Sequence, residues 1–334
     1  MAQRKQTTVR QIAEQVGLST ATVSRVLNND PRVTEATRRR VLAAMELLQY
    51  EAPSAPEPKV HKVGVIIVSS YSDYYHTVLG QLGMYFRDRG IGVVAMNTEG
   101  APGYLTTAMN TLYDSNIQGL ILVSCDYLSI KEQLYSKIPH VWVDCNDRPE
   151  ETVGICQVQS DHLVSGSMAA QALLEKGCRN PLVLSGAHVT HRTADRLHSF
   201  VAEFATQGIL IPEDHIIPLP GLKNQVTESQ EMLRYLITKG LEFDSIFAMT
   251  DGKAMGAYMG VLKMGLRIPE DVKLVGFDGV SPACTEVLNI TSIQQNVPLL
   301  AQSAGEMLLK LIRREPVEQK RIIVPTNLLP GQTT

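Results

Sequence analysis

Two hydrophobic periods divide this chain. Up to Tyr50 apolar side chains recur at helical spacing, and from Val63 onward they come in short continuous runs separated by amphipathic stretches. In the first region Val9, Ile12, Ala13 and Val16 line one helical face, and Gly17 ends that helix because it adopts the left-handed conformation cheaply. Thr8 stands at the N-cap with Gln11 three residues on, a capping box that satisfies two orphan amides. Ser19 caps a second helix, with Leu18 stapled onto Val23 across it. Val23, Val26 and Leu27 face inward, so Thr20, Ala21, Ser24, Arg25 and Asn28 point outward. After the break at Asn28-Asn29-Asp30-Pro31, Thr34 caps a third helix whose stripe is Val41, Leu42, Met45 and Leu48. This is an all-α head in which the second of two helices joined by a tight turn offers its N-terminal side chains to a groove.

The stretch EAPSAPEPKVHK, residues 51–62, has Pro53, Pro56 and Pro58 and reads as extended linker. Beyond it the strand runs VGVIIV, IGVVAM, IQGLILV, HVWVD and VGICQV alternate with helices. A second series begins at Asp161 with PLVLS, HIIPL, SIFAM and VKLVGF, again each paired with a helix. Continuous aliphatic strands between helices imply parallel sheets covered on both faces, and two series imply two doubly wound lobes of an α/β body. The expected domains are a head at 1–50, the linker at 51–62 and a body at 63–334. Lobe one then takes about 63–160 and 292–320, and lobe two about 161–291 and 321–334. TSIQQN is expected to return to the first lobe, the helix Val297 to Arg313 to pack on it, and IIVPTNLL to form one final strand. Ligands bind beyond the carboxyl ends of such strands, here in the cleft between lobes.

Charge sharpens the division. The net charge of −3 conceals a head of +4, with eight Lys/Arg against four acids, on a remainder of −7. A basic head suits an electrostatic grip on phosphate. The five cysteines lack CxxC spacing and read as reduced, buried residues of a cytoplasmic protein. No signal peptide or run of about 18 apolar residues is present. No glycine-rich phosphate loop, GxSxG elbow or HExxH motif occurs, and His188, His191 and His198 near Cys178 fit no standard zinc spacing. The expectation is no enzyme, no cofactor and no metal.

The head, through ATVSRVLN, VTEATRRRV and the closing Tyr50, resembles the LacI/GalR family of bacterial transcription regulators, and the body resembles that family's periplasmic-binding-protein-like core. The resemblance implies DNA contacts from Thr8, Ser19, Thr20, Ala21, Thr22, Ser24, Arg25 and Asn28. Thr20, Ala21 and Arg25 would read bases, and Arg25 is able to fork onto guanine. It implies an effector site at Ser69, Tyr74 and Tyr75 of SSYSDYY, Asp161, Arg196 of RLHSF, Thr250 and Asp251 of MTDGKAMGA, and Asp278 of GFDG. Ser199 replaces the family's usual Gly after that Arg, and Gly279 replaces a second Asp. An Arg fork, hydroxyl-accepting Asp and a covering aromatic suit a polyol. Each also has an ordinary reading as a surface Arg or a helix-capping Asp. The linker departs from the family: it has no Leu to wedge into a minor groove, and its prolines oppose a hinge helix.

The expected protein is thus a sequence-specific DNA-binding regulator and repressor, a homodimer on a pseudo-palindromic operator, controlled by a sugar or sugar phosphate. The alternatives are a nucleobase or nucleoside effector, or a cytosolic sugar-binding protein without operator function. No apolar heptad tail argues for a tetramer.

Overall fold

In the head, local capping chemistry forms the helices where expected. The computed structural model describes residues 8–27, 30, 32–48, 50, 59–69, 71–134, 138–187, 190–219 and 224–334. It places helix α1 at Val9–Val16, α2 at Thr20–Leu27 and α3 at Glu35–Leu47. Thr8 and Gln11 close the capping box reciprocally, and Gly17 ends α1 at φ 63° with its N–H turned back onto the helix. Ile12, Val23 and Val41 are fully buried at the centre of the small core, with Ala13, Val16, Val26 and Ala44 around them. Leu42, expected in that core, is 50% exposed, and Ala44 is buried instead. The reason is angular: Val41, Ala44, Met45 and Leu48 share one helical face, and Leu42 lies about 100° off it. Asn28, expected to contact DNA, and residues 51–58 of the linker lie outside the described residues. The chain divides into two units after Lys59.

From Val60 onward the described residues form two six-stranded sheets. The first contains β1 (Lys62–Ile67), β2 (Gly92–Asn97), β3 (Leu120–Val123), β4 (His140–Val143), β5 (Gln157–Ser160) and β11 (Arg321–Val324). Its order is β11-β5-β4-β3-β1-β2, all parallel. The second contains β6 (Pro181–Gly186), β7 (Ile216–Leu219), β8 (Ser245–Ala248), β9 (Lys273–Asp278), β10 (Thr291–Gln295) and β12 (Thr326–Leu329). Its order is β12-β10-β9-β8-β6-β7, parallel except for the antiparallel β12. Helices α4 (Asp73–Arg87), α5 (Pro102–Asp114), the single turn α6 (Tyr127–Ile130) and α11 (Val297–Arg313) serve the first sheet. Helices α7 (His162–Leu174), α8 (His191–Thr206), α9 (Gln225–Thr238) and α10 (Asp251–Lys263) cover the second.

Strand alternation assigns each face its helices. Val63, Val65 and Ile67 pack with Val78 and Leu82 of α4 and Leu300 of α11, whereas Ile66 packs with Met109 and Leu112 of α5. In the second sheet Val183 and Phe247 meet Phe200 and Phe204 of α8, and Leu182 and Ile246 meet Leu233 of α9 and Val261 of α10. Each such side chain, fully removed from water, stabilises the fold by about 1.5–3 kcal/mol.

The final segment differs from expectation in two places. TSIQQ does not return to the first sheet: it is β10, paired with β9 in the second. The crossing happens after it, where α11 packs on the first sheet. IIVPTNLL is two strands, because Pro325 marks the point where the chain leaves β11 in the first sheet and enters β12 in the second. Residues 321–324 therefore belong to the first lobe and 291–295 to the second. A hydrophobic run specifies burial but not which of two equally apolar sheet edges it joins.

Candidate nucleic-acid interface and ligand cleft

On α2, Ser19, Thr20, Ala21, Ser24 and Arg25 are exposed and Thr22 is half-buried. Ser19 Oγ accepts from Thr22 N at 3.1 Å and contacts Thr22 Oγ1 at 2.9 Å, so these two hydroxyls are engaged in starting the helix. The Arg25 carbonyl accepts from Asp30 N at 2.9 Å and its charge helps hold the Asp30 carboxyl low, but its guanidinium makes no hydrogen bond or ion pair among the described residues. Most other basic groups of the head are engaged. Arg40 donates to the Val16 carbonyl at 2.8 Å and so closes the end of α1, and Arg38 donates to the Asp30 carbonyl at 3.2 Å. Arg10, Arg32 and Arg39 pair with Glu14, Asp30 and Glu35 on the surface. The structure thus leaves Arg25 as the unpaired guanidinium beside Thr20 and Ala21 on an exposed helix.

In the body a cavity of about 760 Å³ opens beyond the carboxyl ends of both sheets. The first lobe contributes Tyr75, Ser124 and Asn146, and the second contributes His162, Arg192, Arg196, Lys253 and Asp278. A smaller cavity of about 200 Å³ shares Tyr74, Thr250 and Asp278 with it.

Asp144, at the end of β4 with φ 50° and fully buried, does not line the cavity but is the hub behind its wall. The Tyr74 hydroxyl and the Ser160 N–H donate to its carboxylate, and His162 Nε2 stands 3.4 Å from it and an Arg192 nitrogen 3.7 Å. Burial alone would push the Asp144 carboxyl up, but His162, Arg192 and Tyr74 outweigh it and hold it below the usual range. Burial lowers His162 to about 4. A neutral imidazole that donates from Nε2 to Asp144 leaves Nδ1 as an acceptor, and Nδ1 is buried without a partner. Arg192 also donates to Asn146 Oδ1 at 2.6 Å, and Ser160 donates to Gln295 Oε1 at 2.6 Å, so polar bonds cross between the lobes.

Arg196 is placed by close helix packing. A Cβ on Gly166 of α7 would meet the Arg196 carbonyl oxygen at 2.2 Å, so α7 and α8 touch backbone to backbone. Ser199, in place of a glycine, fits there because its hydroxyl turns back onto the Asp195 carbonyl at 2.8 Å. The Arg196 guanidinium lies over Phe277, its carbon 3.9 Å from the ring centre, and donates to the Met249 carbonyl at 3.2 Å. Burial lowers it to about 10, and its Nε has no partner. Asp278 adopts φ 94° and accepts from Gln295 at 2.8 Å. Burial, with Asp251 nearby, pushes its carboxyl up to about 8.

The eight residues expected at the effector site separate into three groups. Tyr75, Arg196 and Asp278 line the larger cavity. Tyr74 and Thr250 line it too, but the Tyr74 hydroxyl is committed to Asp144, and Thr250 donates to Gln225 while capping α10. Asp251, Ser69 and Asp161 hold backbone. Asp251 accepts from the amides of Gly279, Val280 and Ser281, Ser69 accepts from Tyr71 N at 3.0 Å, and Asp161 accepts from Val164 N at 3.0 Å as the N-cap of α7. Ser69 and Asp161 do not line the cavity. The residues that sequence reasoning missed are Asp144, Asn146, His162, Arg192 and Lys253. Arg192 had a signal, because it lies four residues before Arg196 and so shares its helical face.

Comparison with known proteins finds matches to the head and to the body. Residues 8–53 match the model for bacterial regulatory proteins of the lacI family, and residues 170–334 match a periplasmic binding protein-like domain. The ribose operon repressor of Halalkalibacterium halodurans is 29% identical over 98% of this chain and 97% of its own length. The ribose operon repressor of Escherichia coli K12 is 26% identical over 94% and 96%, and the repressor PurR of Klebsiella pneumoniae 26% over 96% and 95%. Among solved structures, a lac repressor dimer bound to operator and an anti-inducer superposes with a TM-score of 0.72, at 22% identity and 99% coverage of both chains. A complex of the regulator CelR with cellobiose gives 0.68, at 23% identity, covering 98% of this chain and all of that one. These structures share the fold.

Proposed function

We propose, since this chain belongs to the lacI family of bacterial regulatory proteins, that its head holds an operator and its cleft holds a sugar that controls that grip. The protein is a DNA-binding transcription regulator, and its relatives are repressors rather than enzymes. It acts in the cytoplasm as a homodimer on an inverted repeat. Thr20, Ala21 and Arg25 read bases in the major groove, while Thr8, Ser19, Thr22 and Ser24, with the helix-start amides, position phosphates. In the cleft, Tyr75 covers an apolar sugar face, Arg196 forks onto vicinal oxygens, and Asp278 and His162 Nδ1 take the remaining hydroxyls.

The observation that carries this reading is the cavity of about 760 Å³, four of whose lining residues carry partnerless buried polar atoms: Ser124 Oγ, His162 Nδ1, Arg192 Nε and Arg196 Nε. A ligand there controls DNA only through unequal affinity for two states of the body, and operator must then shift ligand affinity by the same factor. Selection of binding sites from random duplex DNA by the full chain, followed by titration of sugars with and without the selected site, tests both parts. The expected result is an enriched inverted repeat, a sugar whose affinity changes on operator, and a tenfold to hundredfold loss of specific binding in Arg25→Ala, matching about 1–3 kcal/mol per guanine fork. A single asymmetric half-site overturns the dimeric reading. Sugars bound equally with and without DNA overturn the control.

A further inference from the structure

We propose that the ligand is a negatively charged monosaccharide, bearing a carboxylate or a phosphate, and that Lys253 reads its charge. This rests on the sugar reading above and narrows it. Lys253 lies in the first turn of α10, is 3% exposed, and lines the larger cavity. Its ammonium has no hydrogen bond or ion pair among the described residues.

The charges around it are already assigned. Arg192 is matched by Asp144 and Asn146. Asp278 turns to Gln295. Asp126 lines the cavity but is exposed to solvent, and Glu228 of α9, whose field reaches Lys253, neither lines the cavity nor pairs with it. Arg196 has a carbonyl and a ring for neighbours but no carboxylate in ion-pair contact. Two cations of the buried cavity lining, Arg196 and Lys253, therefore have no ion-pair partner; Asp278 is the buried carboxyl that lines the cavity with them, while behind it Asp251 is held by three backbone amides and Glu228 Oε2 is buried without a hydrogen-bond partner. Burial, with Asp251 beside it, pushes the Asp278 carboxyl up, so it offsets those cations less than an ordinary aspartate would. The strain is felt at Lys253, which burial and then Arg196 lower to about 8.

Unpaired buried charge is costly and is relieved by an opposite charge. A neutral sugar gives Lys253 only a hydroxyl. A carboxylate or phosphate gives it a charge-assisted bond, roughly twice as strong, and also gives Arg196 a planar or bidentate partner. The N-termini of α7, α8 and α10 contribute His162, Thr193 and Lys253 to the same cavity, and their dipoles favour the same sign of ligand.

Calorimetric titration of the full chain and of Lys253→Met tests this with glucose and ribose, gluconate, glucuronate and ribonate, glucose 6-phosphate and ribose 5-phosphate, and adenosine and guanine. The expected result is that an acid or a phosphate ester binds tenfold to hundredfold more tightly than its neutral parent. Lys253→Met should erase that preference, weakening the charged ligand tenfold to hundredfold but its neutral parent far less, and should raise the ligand-free melting temperature, since an apolar chain replaces an unpaired ammonium. The acid and ester arms tell carboxylate from phosphate. A neutral sugar that binds at least as well as each of its charged derivatives overturns the inference and leaves the sugar reading standing. A charge preference kept in a folded Lys253→Met protein removes Lys253 from the role. Binding confined to adenosine or guanine, or to none of the probes, overturns the sugar reading along with it.

Discussion

The head and the body place their ionisable groups oppositely. In the head the ion pairs lie on the surface, with Arg10 and Glu14 side chains 83% and 65% exposed, and the fold rests on a small apolar core. In the body Asp144, His162, Arg192, Arg196, Lys253 and Asp278 are all buried, and each changes the charge state or geometry of another. Exposed charges are free to meet a partner from solution but add little to stability. Buried charges organise a cavity, and removing one member of a buried pair, such as Asp144 with Arg192, leaves the other uncompensated. The difference teaches where a substitution should be felt as stability and where only as binding.

The largest test of this contrast is Asp144→Ala. It leaves Arg192 without its charge partner and His162 and Tyr74 without an acceptor, so the body should lose about 3–5 kcal/mol. Trp142, the sole tryptophan and buried in β4, reports the body alone, so its fluorescence in a urea titration provides the measurement. A midpoint within error of wild type would mean that the buried network contributes nothing net. Next in size is Ile12→Ala, which should cost about 2–4 kcal/mol in cavity and transfer terms. So few residues fold marginally, so this change should unfold the head and abolish DNA binding. The Trp142 transition should stay in place, and a matching shift there would contradict the division into two units.

The same contrast explains what was legible in the sequence. The head could be read because its determinants are local: Thr8 and Gln11 are three residues apart, as are Ser19 and Thr22, and helical spacing fixes their geometry. The alternation of strands and helices in the body was legible for a similar reason. The cleft was legible only where a strand end or motif marked it, as at Arg196 and Asp278. Asp144 was the last letter of a strand run, and nothing near it signalled that Tyr74 and Arg192 would converge there. Ser160 and Gln295 are 135 residues apart, and no local pattern encodes their bond. The strand-end acids Asp161 and Asp251 looked equally suited to a ligand, yet backbone amides claim both. Which amide lies in reach is a tertiary fact.

Acid sharpens the comparison further. The folded pKa of His162 is depressed, to about 4, so its contribution is complete above the unfolded value near 6.5 and is lost as pH falls through 4. His140, also lowered to about 4 by burial, adds a loss of the same sign. Relative to His162→Gln, the wild-type Trp142 melting temperature should therefore lose several degrees more, or gain several fewer, as pH goes from 6.5 to 4.5. Asp278 works in the other direction, since its raised pKa makes its contribution fade as pH climbs from about 4 to 8. An Asp278→Asn body should accordingly lose less stability than wild type between pH 6 and 8.

The smallest expected effect belongs to the head's surface. Arg10 Nε lies 3.1 Å from Glu14 Oε1, a good distance, but both side chains are mostly in water, where attraction is weak, screened by salt and opposed by the entropy of ordering two long chains. Arg10→Ala should leave the head's helical signal and melting unchanged within error. It should also leave the salt dependence of DNA binding unchanged, because the base- and phosphate-facing residues assigned above belong to Thr8 and the α2 region. If Arg10 instead rests on a phosphate, the slope of log affinity against log salt will fall by about one. The footprint of α1 on the duplex would then include Arg10, while the pair's small contribution to stability, set by its exposure, would be unchanged.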